Sequence, residues 1–174
     1  YGLIDNCTFY CTKQFSGNWW SPVALMIGAD GSSGAWNRPL TLGTSNATYI
    51  EDCVFDYAYL NGGNFVAVHA NNGARYVFRH NSLNSCMEQF GSCNWIGRGA
   101  LSGEIYENNF RAGAWAPLFG NGGTAVVFNN TLTGSYSNPQ FKMSNYRTCY
   151  GAGHTDCQAP LNSRCNGSSS LDGN

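Results

Sequence analysis

The sequence predicts an all-β protein, a parallel β-helix (β-solenoid) in which short strands stack coil upon coil. Three observations predict this fold: five similar six-residue strings, strand-like runs separated by turn formers, and no sustained helical period of apolar residues. The strings IDNCTF, IEDCVF, FRHNSL, IYENNF and VFNNTL begin at residues 4, 50, 78, 105 and 127. A unit recurring at such lengths is the signature of a repeat architecture.

Each string has apolar residues at its first and sixth places and Cys or Asn at its fourth. The first places are 46, 28, 27 and 22 residues apart, and the last three spacings suit a solenoid repeat. The excess in the first spacing is the stretch 12–42, which we interpret as a loop insertion in the first coil. Because neighbouring strands lie about 4.8 Å apart, the first and sixth places are expected to form inner stacks.

Strand-like runs surround the strings. ATYI, ARYVF, SGEI and TAVVF lead into four of them, most after a Gly or Asn turn, and VALMIG, NFVAVHA, CNWIG and APLFG lie further upstream. One coil is therefore predicted to read strand, Gly turn, strand, Asn turn, strand.

The fourth place carries Asn in three successive strings. Asn can adopt left-handed backbone geometry and can hydrogen-bond its own backbone at a turn. Since the flanking apolar places recur in step, Asn81, Asn108 and Asn130 are predicted to stack as a ladder of amides. The alternative is three unrelated turn residues.

Composition limits the class of protein. A chain of 174 residues allows one domain with a core, which we divide into a β-helix over 1–144 and an irregular Cys-rich tail over 145–174. Charged residues make up 11% and the net charge is −1, which removes the basic footprint of a nucleic-acid binder. No apolar run approaches the roughly 20 residues that span a bilayer.

The eight cysteines, with few charged residues, indicate an extracellular or cell-surface location. Cys86 and Cys93 could close a local disulfide. Cys7 and Cys53 share the fourth place of successive strings, where either a disulfide or a stack of two buried free thiols is compatible with the spacing.

The two ends of the sequence lead to a further expectation. The chain begins at Tyr1 almost directly in a string and ends in RCNGSSSLDGN, which is neither strand nor helix. We expect a processed chain or a piece of a larger parent protein. Open strand edges adhere to other edges, so such a chain could stack end to end.

The segments ARYVFRHNSLNS, GEIYENNF and GGTAVVFNNTLTG resemble the right-handed parallel β-helix repeats of the pectate-lyase-like superfamily, most closely those of uncharacterised bacterial secreted or surface proteins. The resemblance covers residues 49–136 well and residues 2–9 more weakly, and it implies a right-handed coil. It does not imply one activity, because the superfamily includes polysaccharide lyases, glycoside hydrolases, tailspikes, adhesins and ice-binding proteins. IDNCTF keeps Asp5 but has Asn6 where lyase relatives often have His, so no catalytic residue is carried over.

The second and third places of the strings bring charged side chains into register. The patch contains Glu51, Asp52, Arg79, His80 and Glu107. One hypothesis is an acid/base site of Asp52, His80 and Arg79, or a calcium site of Glu51, Asp52 and Glu107. The other, which the sequence favours, is a solvated face of opposite charges on neighbouring strands.

Trp19, Trp20 and Trp36 form a second candidate site, in the insertion. Exposed rings there could stack on sugars or anchor a protein, whereas buried rings would form a satellite core.

Together these features predict an extracellular structural or adhesive β-solenoid, without a cofactor, that assembles with copies of itself or a parent protein, or binds glycans. The alternative is a calcium-dependent polysaccharide lyase or glycoside hydrolase. The absence of a complete catalytic set favours the first.

Overall fold

The structure is a computed structural model, and it describes residues 1–10, 23–28, 38–57, 65–71, 73–90, 100–111, 116–120, 123–136 and 141–143. Within these ranges every regular element is a β-strand, as predicted. The first eight are β1 Gly2–Asp5, β2 Thr8–Tyr10, β3 Val23–Ile27, β4 Thr48–Glu51, β5 Val54–Asp56, β6 Val66–Ala70, β7 Arg75–Arg79 and β8 Ser82–Asn84. The others are β9 Met87–Phe90, β10 Ser102–Tyr106, β11 Asn109–Arg111, β12 Leu118–Gly120, β13 Thr124–Phe128, β14 Thr131–Thr133 and β15 Phe141–Met143. In the same ranges no helix is long and apolar enough to cross a membrane.

The strands form three parallel five-stranded sheets. Sheet A has the order β1-β4-β7-β10-β13, sheet B the order β2-β5-β8-β11-β14, and sheet C the order β3-β6-β9-β12-β15. The chain visits the sheets in turn, so each strand pairs with the strands three places before and after it. We call three successive strands, one from each sheet, a triplet.

The register between triplets is the one that the five strings predict. In sheet A, Ile4, Ile50, Phe78, Ile105 and Val127 are successive partners. In sheet B the sixth places align in the same way: Phe9, Phe55, Leu83, Phe110 and Leu132. A one-residue slip would turn every one of these side chains out of the core.

The core consists of these two stacks and the inward residues of sheet C. The middle members, Ile50, Phe78, Ile105, Phe55 and Leu83, are fully buried. The rings of Phe9 and Phe55 stack at 4.9 Å and 6°. Burying each such side chain stabilises the fold by about 1.5–3 kcal/mol.

Two glycines make room for large rings of the preceding triplet. A Cβ at Gly103 would stand 3.0 Å from the Tyr76 ring, and one at Gly120 would stand 2.4 Å from the Phe90 ring. Each glycine is the in-register partner of the aromatic residue it faces. A glycine therefore follows a large ring in each of these columns, which keeps the core filled without overlap.

The bend between sheets A and B corrects one prediction. The residue with left-handed backbone geometry is at the third place, one before the Asn that we expected to adopt it. All five third places have a φ between 53° and 58°: Asn6, Asp52, His80, Glu107 and Asn129. An outward side chain at this position tolerates several residue types at a modest cost in backbone energy, whereas the fourth place points its side chain inward.

The predicted insertion over 12–42 is not loop throughout. β3 lies inside it and pairs with β6, as the VALMIG run indicated. Its last residues pack on sheet A, where Ser102 donates a hydrogen bond to the carbonyl of Leu40 at 2.9 Å. Just beyond, the Gly43 N–H donates to Glu104 Oε1 at 2.8 Å.

His69 is a buried polar residue on β6, only 7% exposed. Its Nε2 atom has no hydrogen-bond partner in the described part of the chain. Removal from water disfavours the charged ring, and this desolvation lowers the pKa of His69 from 6.5 to about 4.

Acidification from pH 6.5 to pH 4 is expected to destabilise the protein through His69. The folded pKa lies below the unfolded value, so the unfolded chain binds more protons in this window. The free energy of unfolding therefore decreases as the pH is lowered. The loss is absent above pH 6.5 and approaches about 3 kcal/mol below both pKa values. Urea unfolding of the native protein and of His69→Leu from pH 7 to pH 4 measures it. Parallel pH profiles for the two proteins would contradict the assignment.

Candidate functional site

The Asn side chains of the fourth places form a ladder of hydrogen bonds between triplets. Asn108 Oδ1 accepts from the Asn81 backbone N–H at 2.9 Å and from Asn81 Nδ2 at 3.1 Å. Asn130 Oδ1 accepts from the same two groups of Asn108, each at 3.0 Å. Each amide also donates to the first-place carbonyl of the preceding triplet: Asn81 to Ile50, Asn108 to Phe78 and Asn130 to Ile105, all at 2.9 Å.

Cysteines occupy the same place in the first two triplets. Asn81 Oδ1 accepts from the Cys53 backbone N–H at 3.0 Å, so the amide ladder ends on Cys53. The Cys53 thiol points to the Ile4 carbonyl at 3.8 Å and the Glu51 carbonyl at 3.2 Å, while the Cys7 thiol points to the Asp5 carbonyl at 3.3 Å. Desolvation, followed by smaller contributions that include the Cys7 thiol, raises the pKa of Cys53.

Cys7, Cys53 and Cys86 are free thiols in the structure. Of the two arrangements left open for Cys7 and Cys53, the structure has the thiol stack and not the disulfide. Each thiol contacts a carbonyl of its own bend, Cys53 that of Glu51 and Cys7 that of Asp5, and Cys53 also reaches the Ile4 carbonyl of the preceding triplet. Cys86 likewise contacts the Phe55 carbonyl at 3.6 Å, and burial raises its pKa. Cys93 lies outside the described residues.

The charged patch is a row of pairwise contacts across neighbouring strands. Arg79 Nε contacts Glu51 Oε2 at 2.5 Å, and another Arg79 nitrogen donates to the Tyr106 hydroxyl at 3.0 Å. The guanidinium also lies over the Tyr49 ring, 5.2 Å from its centroid. The hydrogen bonds to Glu51 and Tyr106 raise the pKa of Arg79 above its ordinary value.

His80 and Glu107 make the second contact of the row, with Nδ1 3.3 Å from Oε2 and both side chains well exposed. Asp52 is exposed at its bend. In the described ranges no three Asp, Glu, His or Cys side chains converge as a metal ion requires. Asp52 and Glu107 stand two strands apart, roughly 10 Å by the spacing of a sheet, whereas calcium binds oxygens at about 2.3–2.6 Å. Glu51, Asp52 and Glu107 are thus not brought together as one group.

A cavity of about 370 Å³ lies beside Arg75, where the end of β3 approaches the starts of β4 and β7. The Arg75 guanidinium donates to the Tyr1 hydroxyl at 2.8 Å, to Thr41 Oγ1 at 3.1 Å and to the Pro39 carbonyl at 3.3 Å. These bonds hold the segment before β4 against sheet A. Arg75 therefore has a structural role on this side of the cavity.

The terminal triplets expose apolar side chains that the middle triplets bury. The core positions Ile4, Phe9, Val127 and Leu132 are only partly buried, in contrast to their partners in between. Large apolar side chains on the edge strands are exposed as well: Leu3, Tyr10, Val126, Phe128 and Phe141. These two ends of the strand stack are the candidate interaction surfaces. The five-string alignment could have located them, because its first and last members have a neighbour on one side alone.

Other sequence candidates fall outside the described residues. They are Trp19, Trp20 and Trp36, together with the tail over 145–174.

Comparison of the chain with protein-family models, with curated protein sequences and with solved structures finds no match.

Proposed function

We propose that this protein is a right-handed parallel β-helix with an extracellular structural or adhesive role, whose copies assemble end to end. One observation carries the proposal: both ends of the strand stack leave core side chains partly uncovered by the described residues. A solenoid normally ends in a cap with a polar outer face, and an uncovered end favours association.

The edge strands add support. Native proteins protect open edges with Lys, Pro or bulges. The edge strands of sheets A and B, which are β1, β2, β13 and β14, contain neither Lys nor Pro, whereas β15 at the edge of sheet C contains Lys142. Among the described residues, the outer N–H and carbonyl groups of these edges face no further strand, which leaves them to a strand of another copy. The extracellular location rests on composition, and labelling of intact cells with a membrane-impermeant reagent checks it.

Sedimentation velocity and negative-stain microscopy test assembly over two orders of magnitude of protein concentration. We expect oligomers or filaments whose share rises with concentration, because each added copy buries the apolar end of the last one. A protein that stays monomeric throughout the range would contradict the proposal.

Two matched valine variants sharpen this test. Val126 lies on the edge strand β13 and is 41% exposed, whereas Val54 lies on the interior strand β5 and is 40% exposed. Val126→Lys is expected to suppress assembly by placing a charge at the end, and Val54→Lys is expected to leave it unchanged. Equal effects would indicate that association uses another surface.

A further inference from the structure

The hydrogen-bond pattern of the bends is directional, and it is incomplete at the last triplet. The fifth-place N–H donates to the fourth-place carbonyl of the preceding triplet, as from Thr131 to Asn108 and from Val54 to Cys7. At two of the bends the third-place N–H donates to the second-place carbonyl of the following triplet, from Asn6 to Glu51 and from Glu107 to Phe128.

At the end of the stack these groups lack the partners that inner triplets have. In the described part of the chain, the N–H groups of Asn129 and Asn130 and the carbonyls of Val127 and Asn130 meet no following triplet. At the other end, the Thr8 N–H and the Asp5 carbonyl meet no preceding triplet among the residues that the structure describes. The two ends therefore present complementary donors and acceptors.

A second copy placed above the last triplet would place a group of its first triplet opposite each of these groups. Its Thr8 N–H would donate to the Asn130 carbonyl, and its Asp5 carbonyl would accept from the Asn129 N–H. Its Cys7 would stand at the next rung of the ladder. Inside the chain a thiol already replaces the Asn amide at this place, because the Cys53 sulfur contacts the first-place carbonyl of the preceding triplet, that of Ile4.

The side-chain columns also continue across such a joint. Inside the core Ile4 would follow Val127, and Phe9 would follow Leu132, so apolar side chains would pack on apolar side chains across the joint. Outside, Leu3 would follow Val126, and both are exposed in the single chain, at 61% and 41%. Asn6 would follow Asn129, which has the same residue type and the same φ of 53°. Thr8 would follow Thr131 on the outer face of sheet B.

We propose that copies of this chain join head to tail and in register, the first triplet of one copy stacking on the last triplet of the next so that sheets A and B continue across the joint. This inference rests on the proposed end-to-end assembly and specifies its partner surface, polarity and register. Head-to-head contact would place like groups opposite each other and would leave the directional bend pattern unpaired.

Disulfide trapping between separately prepared cysteine variants tests the register. Facing residues of a parallel joint would have Cα atoms about 4.8 Å apart, inside the range for a disulfide, whereas residues two places out of register would be roughly 8 Å apart and outside it. The facing pairs are Thr8→Cys with Thr131→Cys and Tyr10→Cys with Thr133→Cys. The crossed pairs, Thr8→Cys with Thr133→Cys and Tyr10→Cys with Thr131→Cys, use the same four proteins as controls.

The variants are mixed, oxidised with molecular oxygen and a copper catalyst, and analysed by non-reducing electrophoresis. Mass spectrometry identifies the linked peptides, because the chain has eight native cysteines. We expect each facing pair to cross-link roughly tenfold more than each crossed pair, given the steep distance limit of a disulfide. All four positions are exposed, so folding is expected to persist, and circular dichroism checks it.

The outcomes separate this proposal from the function on which it rests. Assembly in sedimentation with equal or absent cross-linking of the facing pairs would overturn the in-register joint and leave assembly standing. Strong cross-linking of Thr8→Cys with itself would indicate head-to-head contact and would also overturn the joint. Monomers at every concentration would remove both proposals.

Discussion

Asn108→Ala is expected to lower the free energy of unfolding by about 3–5 kcal/mol, because each buried group left without a partner costs about 1–3 kcal/mol. Asn108 is 2% exposed and sits at the centre of the ladder. Its removal leaves two donors of Asn81 without an acceptor. It also leaves the carbonyls of Phe78 and Tyr106 without its amide. Urea unfolding at constant pH, followed by circular dichroism, measures the loss.

The neighbouring residue provides a matched control. Asn109 has a buried Oδ1 atom without a hydrogen-bond partner in the described part of the chain. Asn109→Ala removes the same atoms one position later and breaks no bond of the ladder, so we expect a change below about 1 kcal/mol. A similar loss in both variants would show that the ladder does not stabilise the fold specifically.

Gly123→Ala is expected to destabilise the protein by about 3 kcal/mol or more, from backbone strain and steric overlap together. Gly123 has a φ of +92°, and a Cβ there would stand 2.1 Å from the Ala100 carbonyl oxygen. The obstacle is backbone, so it cannot move aside as a side chain can. The same bend carries the hydrogen bond from the Thr124 N–H to the Leu101 carbonyl, which a shift would weaken.

Gly43 separates the two contributions. Its φ is +72°, but a Cβ there would meet no atom within 4 Å. Gly43→Ala therefore measures backbone strain alone, which we expect to cost about 1 kcal/mol. The difference between the two variants in thermal and urea unfolding gives the cost of the overlap. Equal losses at both positions would mean that the chain relaxes around Ala100 without penalty.

Much of the fold could be predicted because the period of the strings is also the period of the sheets. Alternation of side chains along a strand is strict, so Ile50 and Phe55 could be assigned to the core from sequence alone. The Asn ladder could be predicted from the same period, since equal places in successive triplets lie one strand spacing apart.

The candidate sites were less predictable, because they depend on the orientation of side chains and not only on the position of each residue in its string. As expected, register placed Glu51 and Arg79 on neighbouring strands, and His80 and Glu107 at neighbouring bends. It could not reveal that Arg79 bridges Glu51 and Tyr106, or that His80 contacts Glu107. Side-chain rotamers select among several partners within reach, and a sequence pattern does not contain that choice.

By itself the sequence determined the all-β class, the parallel pairing in register and the apolar columns, because these follow from local periodicity and turn chemistry. The tertiary structure alone decided which bend residue takes left-handed geometry, that Cys7 and Cys53 are free thiols and not a disulfide, and that Gly123 must lack a side chain. It also decided which groups stay unpaired at the two ends of the stack. These outcomes arise from contacts between residues some 20 to 60 positions apart, whose geometry exists only once the triplets have packed.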